Sequence, residues 1–115
     1  MRLALLCLAL LLPGAAPAQD VEEALNDYPT AARAEYVFAC MAVNGENRQV
    51  LEQCSCSIDL IASILPYEAY VEAETILALQ QTSGERAGMY RENAFVREPL
   101  ADLRRAQAEA EILCF

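Results

Sequence analysis

Two cysteines separated by one serine, Cys54-Ser55-Cys56, constrain this chain more than any other feature. Two residues along a helix turn the side chain by roughly 200°. On a helix the two sulfurs therefore face apart and cannot bridge each other, so each needs its own partner. Free as a pair, they would instead form a thiol or soft-metal site. The compartment decides between these readings, because disulfides persist only where the surroundings are oxidising.

The N-terminus speaks to the compartment. Arg2 is followed by a leucine-alanine run from Leu3 to Leu12, then Pro13-Gly14 and the small residues Ala16-Pro17-Ala18. This is the pattern of a secretory signal peptide, with cleavage expected after Ala18. The run falls well short of the ~20 residues a permanent membrane anchor needs, so no stable anchor is expected after cleavage. Cys7 leaves with the leader. Removing 18 of 115 residues leaves 97, one domain at most, with Cys40, Cys54, Cys56 and Cys114. An even set in an exported chain reads as a disulfide framework with three possible connectivities. A chain of this size buries a thin core, which such staples reinforce. Periplasmic or secreted localisation follows as the expectation.

Composition removes whole classes of function. The chain beyond residue 18 has seven Arg against 17 Asp plus Glu, a net charge of −10, and no Lys, His or Trp. A basic patch that would neutralise phosphates is missing, which argues against nucleic acid. Without histidine there is no Cys-His or Ser-His nucleophile and no imidazole metal site. No catalytic residue, cofactor or metal is expected, and the reading is of a non-enzyme. The acidity suits a basic protein partner.

Periodicity gives an all-α chain: four main helices plus one short one, cross-linked by two disulfides. Residues 19–29 are acidic and read as a mobile N-terminus; 30–115 form the single stapled domain. Thr30 is the expected N-cap of the first helix, whose stripe is Tyr36, Val37, Cys40 and Val43, and Asn44-Gly45 ends it. Asn47 caps a second helix to about Leu65, with Val50, Leu51, Cys54, Ile58, Ile61 and Leu65 on one face. Pro66 opens a third, carrying Tyr67, Tyr70, Val71, Ile76, Leu77 and Leu79. The short helix covers Glu85 to Phe95, with Met89, Tyr90 and Phe95 expected in the core. Pro99 opens the last helix, whose row is Leu100, Leu103, Gln107, Ala110 and Cys114.

In a hairpin turning near Gly45, Cys54 is closer to the level of Cys40 than Cys56 is. Cys40–Cys54 with Cys56–Cys114 is therefore the preferred pairing, and Cys40–Cys56 with Cys54–Cys114 the next. By the chain-entropy model these staples contribute ~3 and ~4 kcal/mol, against a total of about 5–15 kcal/mol for a small domain. The competing reading of Cys54 and Cys56 is a Cu(I) or thiol-redox site, with Met41 as a candidate soft ligand. Glu68, Glu72 and Glu74, or Glu109 and Glu111, offer paired carboxylates but read as solvated helix faces. Tyr67, Tyr70 and Tyr90 are the candidate interface anchors.

The segments Glu35-Tyr36-Val37, Cys40-Met41, Cys54-Ser55-Cys56-Ser57-Ile58-Asp59, Tyr70-Val71-Glu72-Ala73-Glu74-Thr75 and Gln107 to Phe115 together carry a resemblance. The chain resembles small exported bacterial four-cysteine helical proteins found beside genes for quinoprotein alcohol dehydrogenases and c-type cytochromes. The resemblance implies export and a stapled helical fold; it supplies no activity and no site residues. In size and architecture alone the chain is also similar to periplasmic acid-stress chaperones and small helical immunity proteins. The leading expectation is thus a protein that binds or assists another exported protein, in an accessory or chaperone-like role. The alternatives are a Cu(I) or thiol-redox carrier using Cys54 and Cys56, and an immunity-type inhibitor.

Overall fold

The computed structural model describes residues 26–82, 84, 88–91 and 93–115. Among them the chain forms four α-helices and no strand: α1 (Thr30–Asn44), α2 (Arg48–Ile64), α3 (Tyr67–Gln80) and α4 (Ala94–Cys114). Residues 1–18, expected to be a signal peptide, and the acidic residues 19–25 lie outside the described residues, as do 83, 85–87 and 92. The expected short helix, Glu85 to Phe95, falls partly outside the described residues; within it residues 88–89 are helical, and the Arg91 N–H bonds the Gly88 carbonyl at 3.4 Å.

α2 is the spine. The Asn47 side chain accepts the Val50 N–H at 3.0 Å, satisfying one of the donors that a helix start leaves open. Val50, Cys54, Ser57, Ile58, Ile61 and Ala62 are buried along one face. α2 packs on one side against α1 and on the other against α4, and α3 packs against α4. From α4, Val96, Leu100, Leu103, Ala106 and Ala110 are buried. The alanines let the helices approach closely, and each fully buried Ile or Leu contributes roughly 1.5–3 kcal/mol. Gly45 ends α1 with φ +123° and ψ 150°, a backbone that essentially only glycine adopts without strain.

Several expectations are corrected. Asn26 to Pro29 is not a mobile tail. Tyr28 is 1% exposed and belongs to the core. Its hydroxyl donates to the Leu65 carbonyl at 2.8 Å, while Asp27 Oδ2 accepts the Tyr67 N–H at 2.8 Å. A residue ahead of α1 therefore caps the start of α3, where Pro66 has no capping side chain. The domain boundary lies no later than Asn26.

Thr30 is the first residue of α1 and Pro29 holds the cap position, without a side-chain bond. α4 begins at Ala94, five residues before Pro99, because Asn93 accepts the Val96 N–H at 3.1 Å and starts the helix there. Pro99 lies inside the helix near its start, where it withholds only the bond to the Phe95 carbonyl. Burial was also misassigned at several positions. Val43, Met89 and Phe95 are 85%, 68% and 88% exposed, and Leu51 and Val71 also face outward.

The strap that ends in Tyr28 should be measurable as stability. We expect Tyr28→Phe to cost ~1 kcal/mol, the worth of one buried hydrogen bond. Tyr28→Ala should cost ~3–5 kcal/mol and Asp27→Ala ~1 kcal/mol, read by denaturant unfolding of the oxidised protein. A Tyr28→Ala variant as stable as the parent would show that the strap contributes nothing.

Candidate functional site

The structure joins Cys40 to Cys54 (S–S 2.04 Å, Cα–Cα 5.9 Å) and Cys56 to Cys114 (S–S 2.02 Å, Cα–Cα 5.7 Å). The first bond ties α1 to α2; the second ties α2 to the end of α4. The two differ in access. Cys54 is fully buried and Cys40 half-buried, whereas Cys56 is exposed and Cys114 half-buried. Cys54 and Cys56 are thus not a pair of thiols in this structure, and Met41 lines a different surface together with Phe38 and Ser55. Intramolecular disulfides indicate an oxidising, extracytoplasmic setting. Among the described residues no helix is long and apolar enough to cross a membrane.

With α1 flanking α2 and α3 flanking α4, the outer two helices are left with a space between them. The short connections at residues 45–47 and 65–66 reverse the chain twice, so α1 and α3 run in the same direction. They start side by side at the Asp27 and Tyr28 strap. Between them runs a groove of about 690 Å³. α1 lines it through Ala32, Glu35, Tyr36, Ala39 and Val43, and α3 through Tyr67, Tyr70, Val71, Glu74 and Ala78. The spacing on each wall is that of one helix face, running nearly the full length of the helix. Alanines at 32, 39 and 78 keep the walls low.

Tyrosines form one end of this groove. The Tyr28 ring lies 5.1 Å from that of Tyr67, edge to face, and 5.2 Å from that of Tyr70; Tyr67 and Tyr70 stack at 6.4 Å. Such pairs add ~0.5–1.5 kcal/mol beyond burial. Tyr36 is anchored by a hydrogen bond with Ser57, the buried polar residue of α2. Of the three tyrosines singled out from the sequence, Tyr67 and Tyr70 come together here. Tyr90 sits beyond the other end of α3, where its carbonyl accepts from the Gln80 side chain.

The groove is negative. Burial and, secondarily, the Glu35 carboxylate hold the Glu74 carboxyl above the usual carboxylate range. The Tyr70 hydroxyl is pushed up by burial first and then by Glu74, Tyr36, Glu35 and Tyr67. None of the described residues lining the groove is basic. A space of similar size between α3 and α4, about 640 Å³, also carries carboxylates, Glu72, Glu98 and Asp102, but has a cation of its own in Arg97. Glu68, Glu72, Glu74, Glu109 and Glu111 are all exposed. Glu74 alone of the five turns into the groove, and its partner is Glu35 on a different helix.

Sequence reasoning missed Tyr28, Glu35 and Tyr36 as parts of one site. The available signal was the matched spacing of Ala32, Tyr36, Ala39 and Val43 with Tyr67, Val71, Glu74 and Ala78. That spacing marks two helix faces of the same length but does not say that they face each other. No protein-family model matches this chain, and comparisons with curated proteins and with solved structures found no similar protein.

Limited reduction followed by alkylation and mass spectrometry should label Cys56 and Cys114 before Cys40 and Cys54, since thiol exchange requires access to a sulfur. Simultaneous labelling of all four would mean that the difference in burial does not govern reactivity.

The charge of Glu74 sets a second expectation. Its carboxyl pKa is raised in the folded state, so its stabilising effect is present at low pH and lost as pH rises through the raised value. Glu74→Gln stays neutral throughout. At pH 7 it should be more stable than the parent by ~0.5 kcal/mol or less, since the side chain is partly open to screening solvent. The difference should disappear below about pH 4, as followed by thermal melts across pH.

Proposed function

We propose that this chain is a periplasmic or secreted helical protein, without catalytic activity of its own, that binds or assists another exported protein through the groove between α1 and α3. One observation carries the reading. α1 is a 15-residue helix with no fully buried residue. Val43, on the groove wall, is still 85% exposed. A helix that apolar and that open gains little from the fold it belongs to, and exposed apolar surface of this kind marks interaction sites. The tyrosines beside it are the residue type that anchors interfaces at low entropic cost. The absence of histidine removes the commonest general base and agrees with a binding role.

The Cu(I) or thiol-redox reading has less support, because Cys54 is inaccessible and each sulfur of the pair is committed to a different helix. An acid-responsive chaperone and an immunity-type inhibitor are particular forms of the same binding role. The raised Glu74 carboxyl is the feature through which acid would act on such a role.

Site-specific photo-crosslinking in the periplasm tests the assignment. A crosslinker at Val43 or Val71 should give one discrete adduct with another exported protein, which a bulky Ala39→Trp substitution removes. The same probe on the outer face of α4, at Glu109, should give none. Equal adducts from both faces, or an adduct unaffected by filling the groove, would refute the groove as the binding site.

A further inference from the structure

We infer that the element seated in the α1–α3 groove is an amphipathic helix of the partner whose apolar stripe carries one arginine or lysine, placed between Glu35 and Glu74. The inference rests on the groove being the binding site and specifies what that site selects.

The helical form follows from the walls. Their polar groups are largely engaged: the Thr75 hydroxyl donates to the Val71 carbonyl at 2.7 Å and the Asn44 amide to the Cys40 carbonyl at 3.0 Å. An extended segment entering this space would leave its backbone N–H and C=O groups without partners, at a cost of about 1–3 kcal/mol each when buried. A helix satisfies its own. The facing stripes run from residue 32 to 43 and from 67 to 78, about three turns, or roughly 17 Å at 1.5 Å per residue. That length matches the contact face of one short helix lying along two others, in the helix-in-groove manner.

The cation follows from charge. Glu35 comes from one wall and Glu74 from the other, with no basic residue among the described lining, so an apolar helix alone would bury carboxylates without a counter-charge. A guanidinium or ammonium between them removes that penalty. Tyr36 and Tyr70 line the groove together with the two carboxylates, and aromatic rings beside a cation add to its attraction. A second copy of this chain is a poorer occupant, because its net charge of −9 opposes self-association.

Binding of synthetic helical peptides to the oxidised protein provides the test. One peptide carries an apolar stripe with a central arginine. A second replaces that arginine with citrulline, equal in shape and uncharged. NMR shift mapping with isothermal titration should place the arginine peptide at Tyr36, Tyr70 and Glu74. The citrulline peptide should bind about tenfold more weakly. In the Glu35→Gln/Glu74→Gln double variant, checked for its fold by circular dichroism, the two peptides should bind alike.

If both peptides map to the groove with equal affinity in the parent, the charge selection is wrong while the groove survives as the binding site. Shifts elsewhere, or no binding by either peptide, would overturn the inference and count against the groove itself. A dimer seen by sedimentation and dissociated by Glu74→Arg would assign the groove to a second copy and overturn it as well.

Discussion

The Cys40–Cys54 bond is the interaction on which the arrangement of the molecule depends. A helix in a small domain is ordinarily held by an apolar stripe buried against its neighbours, since propensity alone leaves a 15-residue helix marginal in water. α1 has no such stripe: Tyr36 and Val37 are partly covered and nothing on it is fully buried. Its attachment to α2 therefore depends on a covalent link whose inner sulfur, on Cys54, is fully buried in the α2 face. A covalent tether lets a helix remain docked while most of its apolar surface stays in solvent. That combination is otherwise unstable, because surface which gains nothing from docking does not hold the helix in place.

The tether alone would leave α1 free to swing about Cys40. The Asp27–Tyr28 strap removes that freedom at the other end, twelve residues before Cys40 and just ahead of the helix start. Tyr28 fills the core and bonds Leu65, the residue that follows α2, while Asp27 caps the first residue of α3. The same two residues thus fix where α1 begins and where α3 begins. Burial, followed by the Asp27 charge, pushes the Tyr28 hydroxyl above the usual tyrosine range, so it keeps the proton it donates to Leu65 to a higher pH than an exposed tyrosine would. α1 is held near both ends, and the groove between it and α3 has walls fixed independently of any occupant.

How much of this was legible in the sequence depends on the kind of signal. The α2 face was readable because a 3.6-residue repeat over four turns has few alternative explanations. Cys54 and Cys56 were separable for the same reason: once the helix is accepted, two residues of rotation send them to different partners. Tyr28 was not readable, because its role is set by Leu65 and Tyr67, some 40 residues away, and the acidic residues around it resemble a solvated tail. Pro99 misled because proline is favoured in a helix's first turn, yet it is also tolerated slightly further in when Asn93 supplies the cap. Val43 continues the spacing of a buried stripe while facing open space, since periodicity identifies an apolar face and not what covers it. Glu74 is exposed like the acidic residues around it, and what sets it apart is the groove it shares with Glu35 on another helix.

A clamped groove and an uncompensated charge have related consequences for binding. If α1 moved freely, Glu35 would drift from Glu74 and their repulsion would dissipate as a wider separation, leaving no preference for a cation. Because the disulfide and the strap hold the walls, the two carboxylates keep their proximity, and part of that cost appears as the raised Glu74 proton affinity. A proton relieves it at low pH. At neutral pH, relief has to come from outside the groove. Pre-organisation also lowers the entropy an incoming helix must offset, since the receiving side chains are already placed. The staples that compensate for a thin core thus also hold the charge and spacing on which the proposed selection by the groove rests.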